Sequence, residues 1–170
     1  MKKISALLLC FVMIFSLFAC AEGGQTQNSS AENQTNIANP FIDCKTLDEA
    51  AGIAGFAITA PDSLSGYPER VIQAVKDSMI QVIYYAGSLD SDNVRKVYIR
   101  KGASFEDIFG DYNDYPEKGD LNVNGVKASF NGSGCKVSNV KWQIGNDCFV
   151  IYSDEPLEKE FVSGIIEKTA

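Results

Sequence analysis

The tetrapeptide Val123-Asn124-Gly125-Val126 constrains this chain more than any other stretch. Asn-Gly accepts the two positive φ angles of a tight two-residue turn, so segments 120–123 and 126–130 are expected to pair as antiparallel strands. A second hairpin is expected at Gly145-Asn146, joining 136–144 to 148–153. In that register Trp142 faces Phe149, Val140 faces Ile151 and Cys148 faces Gln143. The apolar set then lies on one side of the pair, and a slip of one residue would turn it toward water.

Around these hairpins the chain reads as a mixture of strands and two helices. Thr46-Leu47-Asp48-Glu49 has capping-box form, with Thr46 accepting from an early amide and Glu49 reaching back. Leu47, Ala50, Ala51 and Ala54 fall on one face of the helix that follows, and Gly55 stops it. Strand-like segments are expected at 56–59, 70–76, 79–85 and 94–100, with Pro61 and the Gly66-Tyr67-Pro68 turn separating the first two. At the far end Asp154 is placed as a cap and Pro156 in a first helical turn, with Leu157, Phe161, Ile165 and Ile166 as the apolar stripe. The expected class is α+β: an antiparallel sheet of about six to seven strands, with a short N-terminal helix and a C-terminal helix packed on one face.

The first forty residues follow different rules. Lys2 and Lys3 precede an uncharged apolar run from Ile4 to Ala19, and the run closes on Leu17-Phe18-Ala19-Cys20. A basic start, an apolar middle and a small residue before the cut make a secretory signal. A Cys just after that small residue makes it a bacterial lipobox. Residues 1–19 are therefore read as a signal peptide and Cys20 as the acylated amino terminus, palmitate being a natural acyl chain. Several chains, at about 0.8 kcal/mol per buried methylene, hold a protein on a bilayer where a single myristoyl would be marginal. A permanent span needs about 20 apolar residues, and this run is shorter and ends without a basic stop. Residues 20–40 are read as a disordered tether, since 21–40 are nearly all small or polar and Ile37 is their only large apolar side chain. About 20 flexible residues reach roughly 25 Å. Residues 41–170 form a single extracytoplasmic domain.

The chain carries a net charge of −7, and loss of the leader removes two lysines and no acid. An acidic body of this kind is a poor nucleic-acid binder. It is equally unsuited to electrostatic adhesion on anionic lipid, so membrane attachment falls to the acyl anchor. With no histidine in the sequence, Ser-His-Asp and Cys-His catalysis and histidine-bearing zinc sites are excluded within this chain. Cys44, Cys135 and Cys148 show no C-x-x-C spacing. They are read as small, partly buried hydrophobes, and a bridge from Cys44 to either of the others is left open.

The acidic stretch from Glu106 to Tyr115, and Asp90 with Asp92, carry oxygen ligands at close spacing. They lack the order of an EF-hand, so a solvated loop is the preferred reading over calcium. Carboxylate pairs of glycosidase type occur in any acidic chain and carry no weight here. The residue pattern calls for no catalytic residue, metal or cofactor. Lys96, Tyr98 and Arg100 share one face of a strand while Val97 and Ile99 point inward. A solvated face is the plain reading of that strip. It is also the candidate surface for an anionic ligand. Tyr84, Tyr85, Tyr98, Tyr112, Tyr115 and Tyr152 are enough aromatics for a surface that contacts sugar or peptide.

Residues 46–56, Pro61, Gly66 and Tyr67, the turn 123–126, Trp142, and the helix with Glu160, Phe161, Ile165 and Ile166 together resemble a domain of unknown function from Gram-positive lipoproteins. Similar domains form the extracytoplasmic parts of membrane-anchored proteins, some associated with anti-sigma regulators. The resemblance covers nearly all of 41–170 and rests on turns, core aromatics and caps. It implies no catalytic residues. The expectation is a non-enzymatic lipoprotein, lipid-anchored to the cell membrane and facing outward. Its binding or sensory domain would meet an envelope protein or peptide. The alternative is a carrier holding an apolar or lipid-like ligand between sheet and helices, and an envelope enzyme comes third.

Overall fold

A computed structural model describes residues 39–169. The expected signal peptide, Cys20 and the tether up to residue 38 lie outside the described residues.

Eight strands form one sheet: β1 (Ile42–Cys44), β2 (Glu69–Val75), β3 (Met79–Ala86), β4 (Arg95–Gly102), β5 (Glu117–Val123), β6 (Val126–Ser133), β7 (Lys136–Ile144) and β8 (Asp147–Leu157). Their order is β1-β2-β3-β4-β8-β7-β6-β5, and every neighbouring pair is antiparallel. The sheet is thus two four-stranded meanders joined in the middle, β4 against β8. The helices are α1 (Leu47–Ala54), the one-turn α2 (Phe105–Ile108) and α3 (Lys159–Thr169). Among the described residues no helix is long and apolar enough to cross a membrane.

Both expected hairpins are present. Asn124 and Gly125 have φ of 50° and 89°, and Val123 pairs with Val126. In the second hairpin Trp142 pairs with Phe149, Val140 with Ile151 and Gln143 with Cys148, as expected. The Trp142 and Phe149 rings stack at 5.1 Å. A third hairpin joins β6 to β7 through Gly134 and Cys135, whose φ of 62° and 66° make the same mirror-image turn with an unusual residue in its second place. Thr46 caps α1 by accepting from the Glu49 amide at 3.1 Å. Glu49 reaches back one residue further than a capping box requires, accepting from the Lys45 amide at 2.8 Å. Gly55 closes the helix at φ 83°.

The count of six to seven strands was too low. The added element is β1, only three residues long and largely exposed, too short for an alternating pattern to register. Residues 56–59, expected as a strand, join no ladder; there the Ala57 carbonyl accepts from Lys101 Nζ at 2.8 Å. Asp154 and Pro156 do not begin a helix. β8 continues through Leu157, which pairs with Val137 beyond an irregularity opposite Ser138, and α3 starts at Lys159. Leu157 is buried, but as a strand residue.

The two faces are covered differently. On one, α1 and α3 seal an apolar layer that includes Ile80, Val82, Tyr84, Val97, Ile99, Val140, Trp142 and Ile151 from the sheet, Ala50 and Ala54 from α1, and Val162, Ile165 and Ile166 from α3. Here the expectation of two helices on one side is met. The opposite face holds a smaller cluster of Met79, Ile108, Cys148 and Val150. Its cover is the connection from β4 to β5, which leaves the sheet's centre and must reach its edge. Two glycines let that connection sit close. A Cβ on Gly102 would stand 2.5 Å from Ile108 Cγ2, and one on Gly110 would collide with the Arg100 guanidinium.

Candidate functional site

Lys96, Tyr98 and Arg100 do share the face away from the helices, with Val97 and Ile99 fully buried behind them. Strand alternation is enough to produce this. Register then decides what each one meets. Arg100 lies at the end of a row of directly paired residues, Asp43, Gln73, Gln81 and Arg100. Gln73 Nε2 donates to Asp43 at 2.8 Å, Gln81 Nε2 donates to Gln73 at 2.8 Å, and Arg100 Nε donates to Gln81 Oε1 at 2.6 Å. Arg100 Nη1 donates to the Ile108 carbonyl at 3.0 Å. The guanidinium lies 4.8 Å from the Tyr152 ring centroid. Burial lowers its pKa from the ordinary value, opposed by nearby tyrosines. Its one hydrogen bond to the crossing connection, to the Ile108 carbonyl, makes Arg100 a strut for that loop.

The neighbouring row runs Tyr98, Tyr152, Asn139 and Asn131 across β4, β8, β7 and β6. The Tyr98 and Tyr152 rings stack at 4.2 Å, 5° from parallel. Asn131 Nδ2 donates to Asn139 at 2.9 Å, and Asn139 Nδ2 donates to Asp111 Oδ2 at 2.8 Å. Asp111 comes from the crossing connection. Its Oδ1 accepts from the Asn113 amide and side chain, and its Oδ2 also accepts from the Tyr115 hydroxyl at 2.7 Å. Burial pushes the Asp111 carboxyl up, but these four hydrogen bonds together outweigh it and hold the pKa below the ordinary 3.8. With its acceptor capacity met by protein donors, Asp111 organises the loop.

Between this loop and the irregular end of β8 opens a polar cavity of about 270 Å³, lined by Gly110, Asp111, Asn113, Tyr115, Tyr152, Ser153 and Asp154. Burial raises the Asp154 carboxyl above its ordinary value, with Lys96 pulling the other way. Burial also raises the Tyr152 phenol strongly. Tyr112, between two lining residues, is 87 % exposed. None of the sequence candidates Lys96, Tyr98 and Arg100 lines this cavity; Tyr98 and Arg100 pack on its Tyr152, and the charge of Lys96 acts on Asp154. What residue patterns missed are Asn139 and Asp154, and the solvated-loop reading of the acidic stretch is corrected, since Ile108 and Asp111 within it are buried. Asn139 left no distinct trace in the sequence, since its strand also carries Lys136, Ser138, Lys141 and Gln143. Asp154 was assigned to a helix that begins five residues later.

The remaining candidates lie elsewhere. Among the described residues no group of three or more His, Cys, Asp or Glu side chains is placed to hold a metal ion. Asp90 and Asp92 are exposed in the β3–β4 connection. The three thiols are unpaired: Cys44 is half-buried, Cys148 buried and Cys135 exposed. Cys135 thus departs from the expected partial burial, because its left-handed turn position points no side chain into a core. Burial raises the pKa of Cys44 and of Cys148, the direction opposite to nucleophile activation. A second cavity of about 200 Å³ borders the Lys101–Asp147 ion pair (2.7 Å). An apolar groove of about 250 Å³ lies along Leu64, Phe161 and Ile165. Compared with known proteins, the chain matches no family model, no curated protein and no solved structure.

Proposed function

We propose that this chain is a lipoprotein anchored through Cys20 to the cell membrane, displaying outside the cytoplasm a non-catalytic domain that binds an envelope component. The cavity under the crossing connection carries the reading. Loops laid over a rigid sheet are where binding groups collect, and this one unites an aromatic floor, a carboxylate and an exposed tyrosine. The lipobox and the tether motivate the location. Raised thiols, a guanidinium tied into the fold and the lack of histidine all favour binding over catalysis. The carrier alternative draws less support: the layer between sheet and helices is filled with buried side chains, and the apolar groove is bordered by the exposed Ser65, Glu160 and Lys168.

The anchor is tested by Cys20→Ala. The wild-type chain is expected in the membrane fraction and the variant in the medium. Retention of the variant on membranes would refute acyl anchoring.

A further inference from the structure

We infer that β5 is a self-pairing edge: a second copy of this chain adds its own β5 antiparallel to it, about a two-fold axis at Gly119, and the two sheets become one. None of the β5 residues lines the cavity at Asp111, so this surface stands apart from the binding reading above.

The hairpin turn decides which backbone groups are free. Asn124 and Gly125 both have positive φ and Val123 pairs with Val126, so that closing pair exchanges both of its hydrogen bonds. The ladder with β6 then runs without a shift from Val123 to Glu117. By alternation, Leu121, Gly119 and Glu117 turn their N–H and C=O groups toward β6, while Asn122, Asp120 and Lys118 turn theirs away from it. β5 ends the sheet and has no neighbour beyond β6 among the described residues. Lys118, Asp120 and Asn122 are also exposed. A row of backbone donors and acceptors therefore faces outward along a seven-residue strand that contains no proline. The opposite edge, β1, has three residues, and so short an edge discourages further pairing.

Charge selects the partner and the register. Lys118, Asp120 and Asn122 lie on one face of the strand. Antiparallel pairing about Gly119 sets Lys118 of each copy directly opposite Asp120 of the other, at both ends of the axis. Opposite charges so placed attract, and like charges repel. Moving the axis one residue either way puts Lys118 against Lys118 or Asp120 against Asp120. Moving it to Leu121 leaves Lys118 opposite the turn residue Asn124 and without a counter-charge. On the other face Gly119 meets Gly119, so no side chain holds the strands apart at the axis. Asp120 already binds Lys127 at 3.1 Å and Ser129 at 2.9 Å, and a carboxylate has acceptor capacity for a further donor. Pro116, just before the strand, has no N–H to offer and ends the new ladder. An edge Lys or Asp turns away most strands, but this spacing of the two makes the edge complementary to itself.

The test is sedimentation equilibrium of the full chain in density-matched detergent, with amide hydrogen exchange on the same samples. A monomer–dimer equilibrium is expected, with a dissociation constant of roughly 0.1 mM, the weak class of a small interface. Lys118→Asp and Asp120→Lys should each weaken it about tenfold or more, and the two together should restore it to within about threefold. Lys118→Pro removes an N–H that its own sheet does not use, so the monomer should stay folded and the dimer should be lost. Exchange at Lys118, Asp120 and Asn122 should slow as concentration rises, while Gly119 and Leu121 stay protected throughout. A monomer up to about 1 mM would overturn the inference. So would a dimer indifferent to Lys118→Asp or Lys118→Pro, a charge swap that fails to restore pairing, or dimerisation without slower exchange at those three amides.

Discussion

The two faces of the sheet solve the same problem by different means. On one, regular helices bring ready-made apolar stripes, and the layer between is filled with Val, Ile, Ala and Trp142. A helix satisfies its own backbone, so such a cover needs only fitted side chains. On the other, an irregular connection crosses from β4 toward β5 and must find partners for its polar atoms one by one. Arg100, Asp111, Asn139 and Tyr115 are those partners. A cover built from discrete hydrogen bonds leaves polar space beneath it, and the cavity lies there. The helix side carries most of the apolar core, and the loop side carries the polar cavity.

The sharpest way to break this comparison is to empty the helix side. Trp142→Ala removes the largest fully buried side chain and should cost about 3–5 kcal/mol, read by denaturant unfolding. Trp142→Phe should cost much less. The Trp142 Nε1 has no hydrogen-bond partner, so the ring's volume, not its N–H, supplies the stability. Equal losses from both variants would show that the layer is not held by packing.

A smaller effect is expected on the loop side. Asp111→Asn replaces an acceptor of four hydrogen bonds and should cost about 1–3 kcal/mol. The loss has a pH signature. Because the Asp111 pKa is held below 3.8 in the fold, its contribution is complete above that value and disappears as pH falls through the lower, folded one. Between neutral pH and about pH 3 the wild-type melting temperature should fall further than that of the variant. Parallel curves would remove Asp111 from the account. Asp154, with a raised pKa, contributes with the opposite sign, favouring the fold below the ordinary carboxylate range and losing that as pH rises.

The smallest change expected is from Thr46→Ala. It deletes the α1 cap and should cost about 1 kcal/mol, with hydrogen exchange accelerated in α1 and unchanged in the 109–115 segment. Spread of the effect to that segment would mean that the two faces are not separate.

How much of this was legible depends on how local the cause was. The Asn124-Gly125 turn, the Trp142–Phe149 register and the Thr46 cap are set by residues within a few positions of each other, and all three stand in the structure. The strip of Lys96, Tyr98 and Arg100 was legible from alternation alone. Its role was not, because Arg100 is claimed by Gln81 and by a carbonyl eight residues later, and only the strand order brings them together. Asp111 and Asn139 stand twenty-eight residues apart in sequence and 2.8 Å apart in space. No spacing rule links them. Asp154 was misread because Asp-x-Pro before an apolar stripe has the form of a helix start, whereas pairing with Val137 kept the chain in the sheet as far as Leu157.

The central claim is that binding occurs beneath the crossing connection and not along the helices. A photoreactive phenylalanine analogue placed at Tyr112 in one strain and at Phe161, in the apolar groove, in another tests it in living cells. Adducts with envelope material are expected from position 112 and none from 161; adducts from 161 alone would put the binding site on the wrong face and contradict the account.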